Sequence, residues 1–215
     1  MLVLKEGPKV DLLIRGARVI DPLSGLDRAM DVRIDRGVIA ELGERVPANG
    51  HRVVEAAGLV LAPAFVDPHV HLRTPGREDE ETSASGTQAA AAGGYCAVLA
   101  MPNTEPVVDS AAVLGSLIQQ ARAEAEVAVG FLAAITKGQA GGELTEMAEL
   151  AETGAVGFSD DGRPAPPGSC AARSSMGSWQ VAPSLSTARI RPCRGAARCT
   201  RGRSRPSSAS RATRP

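Results

Sequence analysis

Two histidines one residue apart, His69 and His71, close the stretch Phe65-Val66-Asp67-Pro68-His69-Val70-His71-Leu72-Arg73, directly after an apolar run that starts at Leu59. Side chains alternate along a strand, so His69 and His71 project to one face at its C-terminal end and Val70 projects to the other. Two neutral imidazoles on one face suit Zn²⁺ or a similar borderline metal, each ring held by an acceptor on its second nitrogen. A bare H-x-H also arises by accident on surface strands. Here the pair makes up two of only three histidines in the chain, and it sits where a strand ends. The third, His51, falls in a polar loop and is expected to be solvated.

The surrounding pattern supplies elements to hold such a pair. Residues 10–60 read as short strands, Asp11–Arg15, Ala17–Asp21, Ala29–Asp35, Val38–Leu42 and Val53–Glu55. Turn signals at Gly16, Ser24-Gly25, Arg36-Gly37 and Asn49-Gly50 separate them, which predicts a small β-domain over residues 1–60. From Leu59 onward apolar strand-like runs alternate with helical ones. Strands are expected at Leu59–Val66, Cys96–Met101, Val127–Ile135 and Ala155–Ser159, and helices near Thr82–Ala92, Ser110–Glu124 and Glu143–Thr153. Asp109 is placed to cap the second helix and Thr145 lies near the start of the third, while Gly93-Gly94 and Gly154 stop the helices before them. Repeated βα units with buried parallel strands predict an α/β sheet or barrel over residues 61–163. Four strands are half of a (β/α)₈ barrel, which takes ~250 residues in full, and the catalytic rim of such a barrel is the C-terminal end of its strands.

Composition divides the chain. Its 215 residues carry 24 Lys+Arg and 24 Asp+Glu, yet all 24 acids lie in residues 1–163 with 14 of the bases, a net of 14 − 24 = −10. Residues 164–215 hold the other 10 bases, all Arg, with 10 Ser, 9 Ala, 7 Pro and no acid. No apolar run reaches the ~18–20 residues of a membrane helix, and the start MLVLKEGPKV lacks the layout of a secretory signal, so a cytoplasmic protein without membrane partners is expected. Cys96 lies in an apolar run and reads as a small core residue, while Cys170, Cys193 and Cys199 show no metal-ligand spacing.

The stretch Ala62-Pro63-Ala64-Phe65-Val66-Asp67-Pro68-His69-Val70-His71-Leu72-Arg73 resembles the metal-binding first barrel strand of the cyclic amidohydrolases. Pro75-Gly76, Glu81-Thr82, Ser85-Gly86-Thr87 and above all Met101-Pro102-Asn103-Thr104-Glu105-Pro106 with Asp109 resemble the dihydroorotases among them. The resemblance covers residues 10–163. It implies a (β/α)₈ TIM barrel with a small N-terminal β-domain, of which this chain holds about half the barrel. It also implies zinc, two ions in the complete enzyme, and the reversible hydrolysis of dihydroorotate to N-carbamoyl-aspartate. By residue, it implies that His69, His71 and Asp161 are metal ligands, with Asp161 also counted in the catalytic set, and that Arg73 and Asn103 bind the substrate carboxylate. Each role has a physical basis: a guanidinium makes paired charge-assisted bonds to a carboxylate, an amide beside Pro102 adds a fixed donor, and an oxygen ligand ending strand four faces the strand-one histidines. Arg73 could instead be a solvated loop charge, Asn103 a turn residue, and Asp160 the ligand in place of Asp161. Ala64 stands where the family commonly has Gly, and Tyr95-Cys96 replaces a more usual Phe-Thr; both are conservative. Ala155–Gly162 contains no lysine, and Lys137 follows strand three, which favours the bacterial branch that uses Asp over relatives that bridge two metals with a carboxylated lysine. A hydantoinase or allantoinase, which shares the fold and His69 and His71 but prefers another cyclic amide, is an alternative reading, as is an inactive dihydroorotase-like subunit that scaffolds aspartate carbamoyltransferase. The family also makes a homo-oligomer an open expectation.

The basic tail, residues 164–215, reads as a disordered arm, but Trp179 is its one aromatic and it shows no groove-binding module, so no nucleic-acid partner is expected. Codon logic offers another origin. Starting each codon at the third base of those implied here, Met176-Gly177 forces Gly, Trp179-Gln180 forces Ala, Cys199–Gly202 allows His-Glu-Gly and Ser208–Thr213 allows Gly-Leu-Pro-Gly-His. That run resembles the continuation of a dihydroorotase through strand five, as expected from a one-base slip near Arg163–Gly168. The chain as printed has no histidine after residue 71. Expressed alone, it is therefore expected to be inactive and poorly soluble or only partly folded, with the later ligands and the general acid/base absent from it.

Overall fold

The computed structural model describes residues 1–5, 7 and 9–163. The expectations placed on the tail, and on Cys170, Cys193 and Cys199, lie outside the described residues.

The first sheet is built from β1 (Leu12–Asp21), β2 (Leu26–Asp35), β3 (Val38–Gly43), β4 (Arg52–Glu55) and β5 (Val60–Leu61). Its order is β3-β2-β1-β4, with β5 also paired to β1; β1, β2 and β3 run antiparallel, while β4 and β5 lie parallel to β1. Val19, Met30 and Val32 form its small core, with Ile14, Leu26, Ile34 and Leu61 against them. Gly16 does not end a strand, as its turn signal suggests. It sits in a bulge within β1, where the register shifts between Ile14 and Ala17, and its positive φ of 72° is one that glycine adopts without strain. The buried Asp31 carboxylate fills the gap, accepting from Gly16 N (2.8 Å) and Val46 N (3.0 Å).

The second sheet is parallel, in the order β6 (Phe65–Val70), β7 (Tyr95–Ala100), β8 (Ala128–Ala133) and β9 (Gly157–Phe158). Three helices connect successive strands, α1 (Ser83–Ala92), α2 (Ala111–Glu124) and α3 (Met147–Thr153). The expected strand Leu59–Val66 is two strands in two sheets. Proline at 63 has no N–H for a ladder, and the chain crosses there from β5 to β6, which carries on through His69 to Val70. In α2, Leu114, Leu117, Ile118 and Ala121 recur at helical spacing and are buried against Val98, Val129, Phe131 and Ala133 of the strands and Leu150 of α3. β8 is buried along nearly its whole length, as a strand covered on both faces should be.

Helix caps differ in part from expectation. Thr82 caps α1, its Oγ1 accepting from Ser85 N (3.0 Å) while Ser85 Oγ accepts from Thr82 N (2.9 Å). The N-cap of α2 is Ser110, not Asp109; Asp109 Oδ2 accepts instead from Gly138 N (2.9 Å), tying α2's entry to the loop after β8. Met1–Lys5 lie along the parallel sheet. Val3 exchanges two backbone hydrogen bonds with Val129, at 2.8 and 2.7 Å, and the N-terminal ammonium donates to Gly154 O (2.8 Å).

Two further expectations are corrected. Cys96 is exposed; it lies in β7 where the β6/β7 register slips between Phe65 and Val66. His51 is not solvated: its Nε2 lies 2.6 Å from Asp35 Oδ1 and its side chain is only 16% exposed.

Candidate metal centre

The C-terminal ends of β6 and β9 bring His69, His71 and Asp161 together, with one ligand atom of each lying within 4.8 Å of the others. His69 Nε2 stands 3.1 Å from Asp161 Oδ1, and His71 Nδ1 stands 3.8 Å from Asp161 Oδ2. The two imidazoles meet nearly edge to face, 5.2 Å between ring centres. His69 is exposed, while His71 and Asp161 are half-buried, so the cluster opens to solvent on one side.

Local structure explains each position. Asp67 Oδ1 accepts from His69 N (3.0 Å), holding the turn of chain around Pro68, and Met101 N donates to Val70 O (2.9 Å), fixing the end of β6 against β7. Just past β7, Asn103 reaches across, its Oδ1 2.9 Å from His71 Nδ1. An imidazole with its proton on Nδ1 donates to that oxygen and leaves the Nε2 lone pair for a cation. The family resemblance implies a substrate-carboxylate role for Asn103; the habit of ligating histidines to engage an acceptor through the second nitrogen is the signal in the sequence that points to this contact.

Of the paired carboxylates, Asp161 faces the histidines and Asp160 does not. Asp160 is buried at 4% exposure and accepts from Ile135 N (2.9 Å), Thr136 N (3.0 Å) and Thr136 Oγ1 (2.7 Å). Asp161 takes a positive φ of 36°, and its N–H donates to Ser159 Oγ (3.0 Å), so the chain turns sharply between the two acids.

Arg73 also has a positive φ, 57°, and its Nε lies 3.5 Å from Glu80 Oε2, with Arg77 bonded to the same carboxylate. It follows the end of β6 at the rim, where its contact is with Glu80. The Arg73 and Asn103 loops are interlocked: Glu105 N donates to Pro75 O (2.9 Å), and a Cβ on Gly76 would come within 2.3 Å of Glu105 O. The donor set of two imidazoles and one carboxylate, with an open side, matches the three protein ligands and vacant position of catalytic zinc sites.

A family described as Dihydro-orotase-like matches residues 58–166, half of the chain. A dihydroorotase of Geobacter sp. (strain M21) is 49% identical over 156 residues, 72% of this chain and 37% of the relative. That of Geobacter sulfurreducens (strain ATCC 51573 / DSM 12127 / PCA) is likewise 49% identical over 156 residues, with the same shares. The chain thus spans well under half the length of these curated relatives. Among solved structures, an L-hydantoinase (dihydropyrimidinase) from Arthrobacter aurescens superposes with a TM-score of 0.57 at 22% identity, over 69% of this chain and 32% of that one. That likeness carries the fold, a TIM barrel of which this chain holds part. Among the described residues no helix is long and apolar enough to cross a membrane.

Proposed function

The chain belongs to the dihydro-orotase-like family, and from that premise we propose that it is part of a zinc-dependent dihydroorotase. The reaction adds water across the ring amide of dihydroorotate, breaking the C–N bond and giving N-carbamoyl-aspartate, reversibly. The observation that carries this reading is the meeting of His69, His71 and Asp161 at one rim, the ends of β6 and β9.

In this reading His69, His71 and Asp161 hold the metal. A zinc ion bound there supplies Lewis acidity for the ring carbonyl and makes water a competent nucleophile near neutral pH. The chain's own residues do the positioning. Asn103 accepts the Nδ1 proton of His71, which holds the ring and leaves Nε2 as the nitrogen with a lone pair to offer a metal. Arg73, at the same rim, offers a planar pair of donors to the substrate's carboxylate, exchanging the loose contact with Glu80 for a charge-assisted pair. In this reading Asn103 shares that carboxylate through its amide nitrogen. The Gly76–Glu105 contact keeps the two loops in register, so that ring and carboxylate are presented together. A cytoplasmic location, self-association and association with aspartate carbamoyltransferase belong to the same proposal, on family grounds alone.

A hybrid tests it: residues 1–163 replace the matching segment of the Geobacter sp. (strain M21) relative, and turnover is measured on dihydroorotate, hydantoin and allantoin with and without a chelator. Zinc-dependent turnover of dihydroorotate above the other two is expected. Preference for hydantoin or allantoin would move the substrate to a related cyclic amide, and turnover indifferent to exhaustive chelation would remove the metal role.

A further inference from the structure

Building on the reading of His69, His71 and Asp161 as a metal centre, we infer that Asp160 and Thr136 are positioning residues that aim Asp161 at the two histidines. β9 is only two residues long, paired as Leu132 with Gly157 and Ala133 with Phe158, with one more backbone bond from Ser159 N to Ala133 O (3.0 Å). Beyond that point the ladder stops, leaving the N–H groups of Ile135 and Thr136 without backbone acceptors on the neighbouring chain. The Asp160 carboxylate replaces them: Oδ1 takes both N–H groups, at 2.9 and 3.0 Å, and Oδ2 takes the Thr136 hydroxyl at 2.7 Å. Thr136 is fully buried, and its Oγ1 in turn accepts from Gly141 N (2.9 Å). One carboxylate therefore extends the attachment of β9 to β8 by side chain where main chain can no longer do so.

The consequence falls on the next residue. With Asp160 pinned inward and Arg163 N donating to Asp160 O (3.1 Å), the chain reverses at Asp161. Its left-handed backbone, φ 36°, sends the carboxylate the opposite way, toward His69 and His71. Asp tolerates this region better than most residues but does not prefer it, so the conformation needs an external constraint. The Asp160 clamp is that constraint, and the adjacent acids have separate duties: one buried and structural to the turn, one delivered to the rim.

The test uses the hybrid that carries residues 1–163 and zinc itself, with cobalt(II) as a spectroscopic substitute. Thr136→Val removes the hydroxyl donor at nearly constant shape; it should weaken Zn²⁺ binding about 10–100-fold, the usual cost of losing a contact that orients a ligand, and should alter the visible cobalt(II) spectrum. Thr136→Ser should restore both. Asp160→Asn keeps a carbonyl oxygen for the two N–H groups but presents an NH₂ to Thr136, and should give a smaller loss. Unfolding midpoints of the metal-free variants are measured alongside. If Thr136→Val lowers the midpoint yet binds Zn²⁺ and cobalt(II) as the parent does, while His69→Ala does not, the clamp is structural only and the inference fails. If the parent and His69→Ala bind zinc equally, or neither binds, the metal-centre reading fails and takes the inference with it.

Discussion

Removing the amide of Asn103 separates two roles that the position could serve. In Asn103→Ala the His71 Nδ1–H loses an acceptor at 2.9 Å, and the half-buried ring is free to rotate or to shift its proton to Nε2. Were Asn103 concerned with substrate alone, zinc affinity would be untouched and only the Michaelis constant would rise. The geometry predicts otherwise. Loss of such a supporting contact costs about 10–100-fold in metal affinity, or roughly 1.4–2.7 kcal/mol. Asn103→Asp should keep affinity near or above that of the parent, since a carboxylate is the stronger acceptor for the same N–H. It should still impair use of an anionic substrate by placing like charge beside it. Competition against a chromophoric zinc chelator measures the first effect, and steady-state kinetics of the hybrid enzyme measures the second. Unchanged zinc affinity in Asn103→Ala would refute the supporting role and leave Asn103 as a substrate contact.

Other expectations follow from particular contacts. Gly76→Ala places a Cβ at 2.3 Å from Glu105 O, at a φ of 107° that side chains rarely adopt, so it should destabilise the chain by about 1–3 kcal/mol and raise the hybrid's Michaelis constant, read by denaturant titration and kinetics. Leu114→Ala empties a fully buried site between α2 and the parallel sheet and should cost about 2–5 kcal/mol, seen as a lower denaturation midpoint with unchanged slope. Acid should loosen the first sheet. Hydrogen bonds from Arg18 hold Asp27 below its ordinary 3.8; at Asp35, lost hydration pushes the value up but is outweighed by hydrogen bonds from His51 and Arg33. Both folded values are depressed, so the stability they contribute is present above pH 3.8 and lost as pH falls through the folded values; Asp27→Asn should flatten the pH dependence of the unfolding midpoint there. An unaltered slope in that variant would remove the Arg18–Asp27 pair from the account.

Much of the molecule is written into local pattern. Runs broken by turn signals marked the strands of the first sheet, helical patterning near 110–124 marked α2, and the alternation of the two kinds of run announced a parallel sheet. His69 and His71 on one strand face follow from the pleat alone, since residues two apart share a side. Local pattern does not carry what depends on a partner distant in the chain. Whether Asp160 or Asp161 meets the histidines turns on a single positive φ and on three donors from the end of β8, none of which leaves a mark in the sequence around the two acids. Asn103 finds His71 only because β6 and β7 are adjacent, and His51 finds Asp35 only because the chain entering β4 folds against the end of β2. Cys96 looked like core because its neighbours are apolar, yet burial is decided by what packs over a position, and the fold leaves it exposed beside the β6/β7 register slip. Residue type and spacing determined which groups could do chemistry; strand adjacency and one buried carboxylate decided which of them meet, because side-chain direction at a strand end is set by hydrogen bonds from another strand.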